Sequence, residues 1–261
     1  MRYQGGKSRI ARKIVAEIRK LYPQAEDIWE PFCGGGAVTK ALAEAGFKVH
    51  ASDSHPDLIM MWWAMCAGQS SVFADVTEEE YARLRNAPPS ARRGFVGFGS
   101  SRGGEWFAGY AKHSYTGVGY LNRKTPGFEA YHESQRSIAR LAVHCDKLIF
   151  NHADYRETPD AVLCYCDKPY AGTLDYKGEP FYHDVFWRWV VRRSGPTFIS
   201  ELSRDGCDDI ADRGLGDLRI VWRKEHLSQN ASNSPTSKHR GAITREERLY
   251  YLPPRAERTA D

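Results

Sequence analysis

The run from Asp27 to Asp53 limits the possible folds more than any other part of the chain. DIWEPF (27–32) reads as a short buried strand and Cys33-Gly34-Gly35-Gly36 as a tight turn. A helix follows from about Val38 to Ala45, then a second strand, Lys48 to Ser52, ending at Asp53. A strand, a crossover helix and a second strand in this order make a parallel pair and place the chain in the α/β class. Glycines at the junction let the backbone approach a ligand closely and aim helix-start amides at it. Thr39 stands where the third glycine of a dinucleotide fingerprint belongs. A nucleoside with an amino-acid tail therefore suits Gly34 and Gly36 better than a pyrophosphate. Asp53, at the tip of the second strand, is placed to accept from ribose hydroxyls. The plainer role for it is to cap the helix that starts at Ser54-His55-Pro56.

A second stretch carries reactive groups. Ala161 to Cys164 reads as the end of a buried strand that runs into Asp167-Lys168-Pro169-Tyr170. Pro169 ends the strand and biases Lys168 towards an extended backbone. A carboxylate, an exposed carbonyl and an aromatic ring then share the carboxyl end of a strand, where open α/β sheets bind ligands. This set suits an exocyclic aromatic amine, whose delocalised lone pair attacks poorly until acceptors hold its protons. Asp167 can take one proton and the Lys168 carbonyl the other, while Tyr170 stacks on the base for roughly 1–3 kcal/mol. Alone, Asp-x-Pro-Tyr is also an ordinary strand-to-turn boundary.

The opening, MRYQGGKS, is a glycine loop with a ring and an ammonium, leading into a basic amphipathic helix, Arg9 to Leu21. Ile10, Ile14, Ile18 and Leu21 fall on one face of it. Gly6-Lys7-Ser8 is not a phosphate loop, because Met1 occupies the first glycine position and no strand precedes it. Residues 57–85 read as mostly helical. From Asn86 to about Gly127 basic residues alternate with aromatics and glycines, a composition that makes long regular elements unexpected. Arg92, Arg93, Arg102, Lys112, Arg123 and Lys124 are its candidate nucleic-acid contacts. Residues 81–147 hold 11 Lys/Arg against 4 Asp/Glu, although the whole chain carries only +4. Such asymmetry points to a basic segment meeting a polyanion beside a near-neutral body. A helix is expected over about 128–142.

Lys147 to Phe150 reads as a further strand, with Asp154-Tyr155 beyond its end. There a carboxylate can accept from an adenine amine while Tyr155 packs on the ring. Thr197 to Glu201 reads as a strand, as do Arg219 to Arg223 and Arg248 to Leu252 around a polar loop, 228–240. The six cysteines (33, 66, 145, 164, 166, 207) form no CxxC pair, so reduced, buried thiols and a cytoplasmic setting are expected. The nine histidines show no metal-ligand spacing, and no metal is expected. No apolar run approaches the roughly 18 residues of a membrane span, and no signal peptide is visible, so no membrane partner is expected. A content of 41% hydrophobic and 27% charged residues in 261 is that of a soluble globular chain with room for one core and an insert.

These motifs, in this order, resemble those of the Dam-like (alpha-group) DNA adenine N6-methyltransferases. The resemblance runs through Tyr3-x-Gly5-Gly6-Lys7, Pro31-Phe32-Cys33-Gly34-Gly35-Gly36, Asp53, Asp154-Tyr155 and Asp167-Lys168-Pro169-Tyr170. It implies a Rossmann-like S-adenosylmethionine-dependent methyltransferase fold with an inserted, mostly helical or loop target-recognition domain. Residues 1–75 and 141–261 would form the catalytic domain and 76–140 the insert. By the same resemblance S-adenosylmethionine lies over the sheet edge beside Phe32, Gly34 and Gly36. Asp53 takes its ribose, Asp154 its adenine amine beside Tyr155, and Tyr3, Gly6 and Lys7 close the pocket. A target adenine flips out of double-stranded DNA onto Tyr170. A bacterial or phage-encoded enzyme, monomeric or weakly dimeric, is implied. The usual motif is Asp-Pro-Pro-Tyr, so Lys168 departs from it. Its ammonium is expected to point outward, towards a DNA phosphate. Two alternatives remain: a catalytically weakened DNA-binding protein, or an N-methyltransferase acting on RNA or a protein amide.

Overall fold

The computed structural model describes residues 1–111, 130–170, 181–204, 217–228 and 243–258. In chain order its elements are α1 (Ala11–Leu21), β1 (Asp27–Glu30), α2 (Ala37–Glu44), β2 (Lys48–Asp53) and α3 (Pro56–Cys66). Next come α4 (Glu78–Leu84), α5 (Ala91–Gly99), α6 (Ala130–Ala142), β3 (Leu148–His152) and β4 (Cys164–Cys166). The chain ends with α7 (His183–Arg192), β5 (Thr197–Arg204), β6 (Arg219–Ser228) and β7 (Ile243–Leu252).

The seven strands form one sheet in the order β3-β2-β1-β4-β5-β7-β6. The pairs among β3, β2, β1, β4 and β5 are parallel, whereas β7 runs antiparallel between β5 and β6. This mixed α/β sheet is that of a Rossmann-like methyltransferase fold.

Side-chain alternation along the central strands separates two cores. Tyr165, Phe198 and Tyr251 lie side by side across β4, β5 and β7 and join the larger core. Their neighbours Cys166, Ile199 and Tyr250 join a smaller core with Phe186, Trp187 and Val190 of α7. On α1, Ile10, Ile14 and Ile18 are buried as their spacing predicts, but Leu21 is exposed because the helix ends there.

Several boundaries differ from the sequence reading. β4 begins at Cys164, where the reading ended a strand, because Cys164 to Cys166 pair with Thr197 to Ile199. β6 and β7 each run for 10 residues; their Arg- and Glu-rich halves have weak strand propensity, and the antiparallel ladder between them supplies the order. The glycine-rich segment after Asn86 also holds a nine-residue helix, α5. Ser90 caps it by accepting from the Arg93 amide at 3.2 Å. Its glycines serve packing: a Cβ on Gly94 would lie 2.2 Å from the Asp57 carbonyl oxygen of α3. Phe95, Val96 and Phe98 of α5 and Tyr131 and Ile138 of α6 belong to the same core as the sheet. The described parts of 76–140 therefore share the core of the main body.

The expectation of reduced thiols is corrected at one place. Cys66 and Cys145 form a disulfide, with Cα atoms 5.4 Å apart and a sequence separation of 79. The end of α3 and the turn before β3 meet only after folding, so spacing could not disclose the pair. Cys33, Cys164 and Cys166 are free and buried.

Candidate active site

Parallel pairing brings the carboxyl ends of β3, β2, β1 and β4 to one edge. Asp53 ends β2, Glu30 ends β1, Asp167 follows β4 directly, and Asp154 lies two residues beyond β3. Chain order reverses at β1, which pairs with β2 on one side and β4 on the other. A crevice opens at such a reversal.

The glycine turn lies at this reversal and is held from three sides. Gly34 and Gly36 have φ of 44° and 72°, a region that side chains other than glycine rarely adopt. Asp53 Oδ2 accepts from the Gly34 amide at 3.0 Å and Oδ1 from the His55 amide at 3.0 Å. Asp53 thus braces His55, the residue before α3, and clamps the turn with the same carboxylate. Burial pushes its carboxyl above the ordinary range, against the pull of the His55 and Gly34 amides. Trp62 of α3 donates to the Gly34 carbonyl at 3.2 Å. From above, the opening segment lies on the turn: the Met1 nitrogen donates to the Gly35 carbonyl at 2.7 Å. A Cβ on Gly34 would come within 2.8 Å of the Tyr3 ring. Gly6 closes a turn of that segment by donating to the Tyr3 carbonyl at 3.1 Å.

Lys7 connects this opening to the second motif. Its side chain is buried, with Nζ 3.0 Å from Asp167 Oδ1 and 3.3 Å from Glu247 Oε1 of β7. The same ammonium sits 4.5 Å from the centre of the Tyr170 ring. The Tyr170 hydroxyl lies 3.2 Å from Asp167 Oδ1 and 3.1 Å from Glu247 Oε1. Burial pushes the Asp167 carboxyl above its ordinary value, with the Lys7 charge and hydrogen bond pulling the other way. Burial alone would lower Lys7, but Asp167 and Glu247 outweigh it and hold the ammonium above its usual value.

Lys168 does not point outward. It is only 2% exposed, and its ammonium pairs with Glu201 of β5. Phe186, Trp187 and Tyr170 surround it, with ring centres 5.6, 5.7 and 5.9 Å from Nζ. A lysine accepts such burial when a carboxylate and aromatic faces replace its water. Pro169 follows it, partly exposed.

The sequence reading gives no site role to Glu30, Glu201 or Glu247, and it places Trp62 in the apolar band of a helix. Glu30 is 1% exposed, and its carboxyl lies against the hydroxyl and amide of buried Thr39, whose hydrogen bonds pull against the effect of burial. Burial drives the Glu30 carboxyl well above its ordinary value, and Asp167 and Asp53 add to the shift. The only hint in the sequence was its position at a strand end before Pro31.

Asp154 and Tyr155 stand at the far side of the edge. Asp154 caps a short 3-10 turn, Tyr155–Glu157, with Glu157 closing the capping box. It pairs with Arg156 at 2.6 Å. Burial raises its carboxyl, but the Arg156 hydrogen bonds and charge outweigh that and leave it below the usual range. Tyr155 stacks on Phe32 at 5.4 Å, with Phe181 and Phe186 around them. The resulting aromatic wall adjoins the turn.

The basic candidates divide. Arg92 binds Glu80 and the carbonyls of Val72, Ala74 and Asp75. Arg93 pairs with buried Asp57 at 2.8 Å, donates to the Leu84 and Arg85 carbonyls and stacks on Trp106. Both guanidiniums are thus engaged inside the protein. Arg102 is exposed. Lys112, Arg123 and Lys124 lie outside the described residues, as do most of the 228–240 loop and Cys207. Among the described residues, no three His, Cys, Asp or Glu side chains gather to hold a metal, and no helix is long and apolar enough to cross a membrane.

The chain matches no curated protein. Residues 3–90 match the family model described as D12 class N6 adenine-specific DNA methyltransferase. The matched stretch runs from Tyr3 through Gly36 and Asp53 and stops before Asp167. Over it the chain is similar to that family, which supports an adenine N6-methyltransferase assignment for the glycine-turn half of the edge.

Proposed function

We propose that this protein transfers a methyl group from S-adenosylmethionine to the N6 amine of an adenine flipped out of double-stranded DNA, as a Dam-like enzyme. The observation that carries the reading is Asp167 at the end of β4, beside the glycine turn and across the point where strand order reverses.

The residues at the edge fit such a cofactor. Glu30 is buried and Asp53 and Asp167 are half-buried, all three carboxyls are pushed upward by burial, and Lys7 is the cation bonded to Asp167. A ligand bearing an ammonium and a sulfonium supplies the positive charge that such a cluster lacks. Phe32 and Tyr155 would bound the adenine ring, and Asp154 and Asp53 would accept from its amine and the ribose. When bound, the cofactor supplies an electrophilic methyl: the amine lone pair forms the N–C bond while the C–S electron pair returns to sulfur.

The chain's part is to orient the amine. Asp167 accepts one N–H and the Lys168 carbonyl the other, which aligns the nitrogen lone pair with the methyl. The ring of Tyr170 takes the flipped base by stacking. Lys7 and Tyr170 fix the Asp167 carboxylate before the base arrives, so alignment supplies the acceleration. The proton leaves after the nitrogen has gained its methyl and become positive, so no strong base is required. The pairing of Lys168 with Glu201 neutralises an ammonium that would otherwise oppose this charge. That pairing favours an active enzyme over a weakened DNA-binding protein.

The test is methyl transfer from labelled S-adenosylmethionine to unmethylated genomic DNA. Label should appear in N6-methyladenine and vanish in Asp167→Ala. Label in RNA or protein but not in DNA would replace the substrate, and no transfer to any of them would overturn the reaction.

A further inference from the structure

Lys168 sits where the resembled motif has a proline, and proline restrains the backbone torsion φ at the residue whose carbonyl is needed. Pro169 already confines Lys168 to an extended ψ, so φ is the torsion left unrestrained. The Lys168 side chain is buried, and its ammonium reaches Glu201, the fifth residue of β5. The other Glu201 oxygen accepts from the Leu202 amide at 3.2 Å, so the carboxylate is itself anchored to the strand. Three rings from two places enclose the ammonium: Phe186 and Trp187 from α7, and Tyr170 from the motif. A buried side chain tied at its far end to a strand limits how far its own backbone can turn.

We propose that Glu201 is a positioning residue that, through the Lys168 ammonium, fixes the Lys168 carbonyl which accepts from the target amine. An ion pair to β5 thereby replaces the ring constraint of the missing proline. This inference rests on the methyl-transfer reading above. It also predicts a coupling that a merely structural ion pair would not show. A structural pair affects how much protein folds, whereas a positioning pair affects the turnover of folded enzyme and becomes dispensable once proline supplies the constraint.

The experiment uses the full chain, unmethylated duplex DNA and labelled S-adenosylmethionine with wild type, Glu201→Gln, Lys168→Pro and the double variant. Glu201→Gln should lower kcat about tenfold or more, with KM for DNA and cofactor within about twofold. In the Lys168→Pro background the same Glu201→Gln change should alter kcat by less than about twofold. Equal losses in both backgrounds, or wild-type kcat in Glu201→Gln, would overturn the proposal. Should Glu201→Gln not fold, Glu201→Asp keeps the charge but shortens the reach. Reduced kcat in that variant supports positioning, and wild-type kcat refutes it. Hydrogen exchange at the Asp167 and Tyr170 amides gives a readout free of catalysis. If wild type transfers no methyl to DNA, the functional reading fails while exchange still judges the pair. Faster exchange in Glu201→Gln upholds it and unchanged exchange overturns it.

Discussion

Lys7 Nζ lies 3.0 Å from Asp167 Oδ1, joining the opening loop to the end of β4 within one buried ion pair. The contact makes the opening loop and the Asp167–Tyr170 motif a single electrostatic unit. Lys7 is what offsets the burial of Asp167, whose carboxyl nonetheless stays above its ordinary value. In the proposed reaction, transfer needs the ionised carboxylate, so the rate should rise with pH through this raised pKa. Lys7→Met removes the cation and should move the acidic limb of the kcat profile upward by about one pH unit or more. A limb that stays in place would separate Lys7 from Asp167 ionisation.

Glu30 gives a stability signature of its own. Its folded pKa lies well above the unfolded one, so between the two the native state holds a proton that the unfolded chain has lost. Stability therefore falls as pH rises through that window, by up to about 1.4 kcal/mol per pH unit from this group. Glu30→Gln removes the slope. Its melting temperature should exceed that of wild type by a margin that widens as pH rises above the ordinary carboxyl range. Parallel melting curves across that range would show that Glu30 ionises freely.

Gly94 sets how closely α5 approaches α3. A Cβ there would meet the Asp57 carbonyl at 2.2 Å, a backbone atom that cannot swing aside. Gly94→Ala should cost about 1–3 kcal/mol in urea unfolding, despite alanine's better helix propensity. A stabilised variant would mean that the helices separate without cost.

Arg93 and Arg102 should part company. Arg93→Ala strands Asp57, which is 2% exposed, and should destabilise the fold by about 3–5 kcal/mol. Arg102→Ala should leave melting unchanged while weakening DNA binding and lowering its salt slope by about one. Melting scans beside salt-dependent DNA titrations decide both, and the reverse pattern would exchange their roles.

The disulfide of Cys66 and Cys145 spans 79 residues. Closing so long a loop contributes up to about 4 kcal/mol by restricting the unfolded chain. Thiol reductant should lower the melting temperature of wild type and leave Cys66→Ser/Cys145→Ser, already at the lower value, unmoved. A wild type indifferent to reductant would show that the bond adds nothing.

Much of the site was legible because it obeys local rules. The glycine turn after β1, Asp53 at the tip of β2 and the motif after β4 each announce themselves within a few residues. Parallel pairing then carries them to one edge without further information. Asp53 shows the limit of such reading: ribose binding and helix capping were the alternatives, and the structure adds a clamp on the Gly34 amide. The glycines of α5 were visible as a composition shift, but whether they loosen a loop or permit a close helix pair depends on what lies opposite them.

The sequence by itself determined the α/β class, the order of the motifs and the place of Asp167 at a strand end, because period, turn residues and strand ends are local properties. Tertiary structure alone decided which charges meet. Lys168 turns inward to Glu201, Lys7 bridges Asp167 and Glu247, Arg93 seals Asp57, and Cys66 finds Cys145. Each of these pairs joins residues far apart in the chain, and a lone charge or thiol in a sequence carries no mark of its partner. Burial makes the pairing obligatory, and only the packed sheet and its helices decide what is buried.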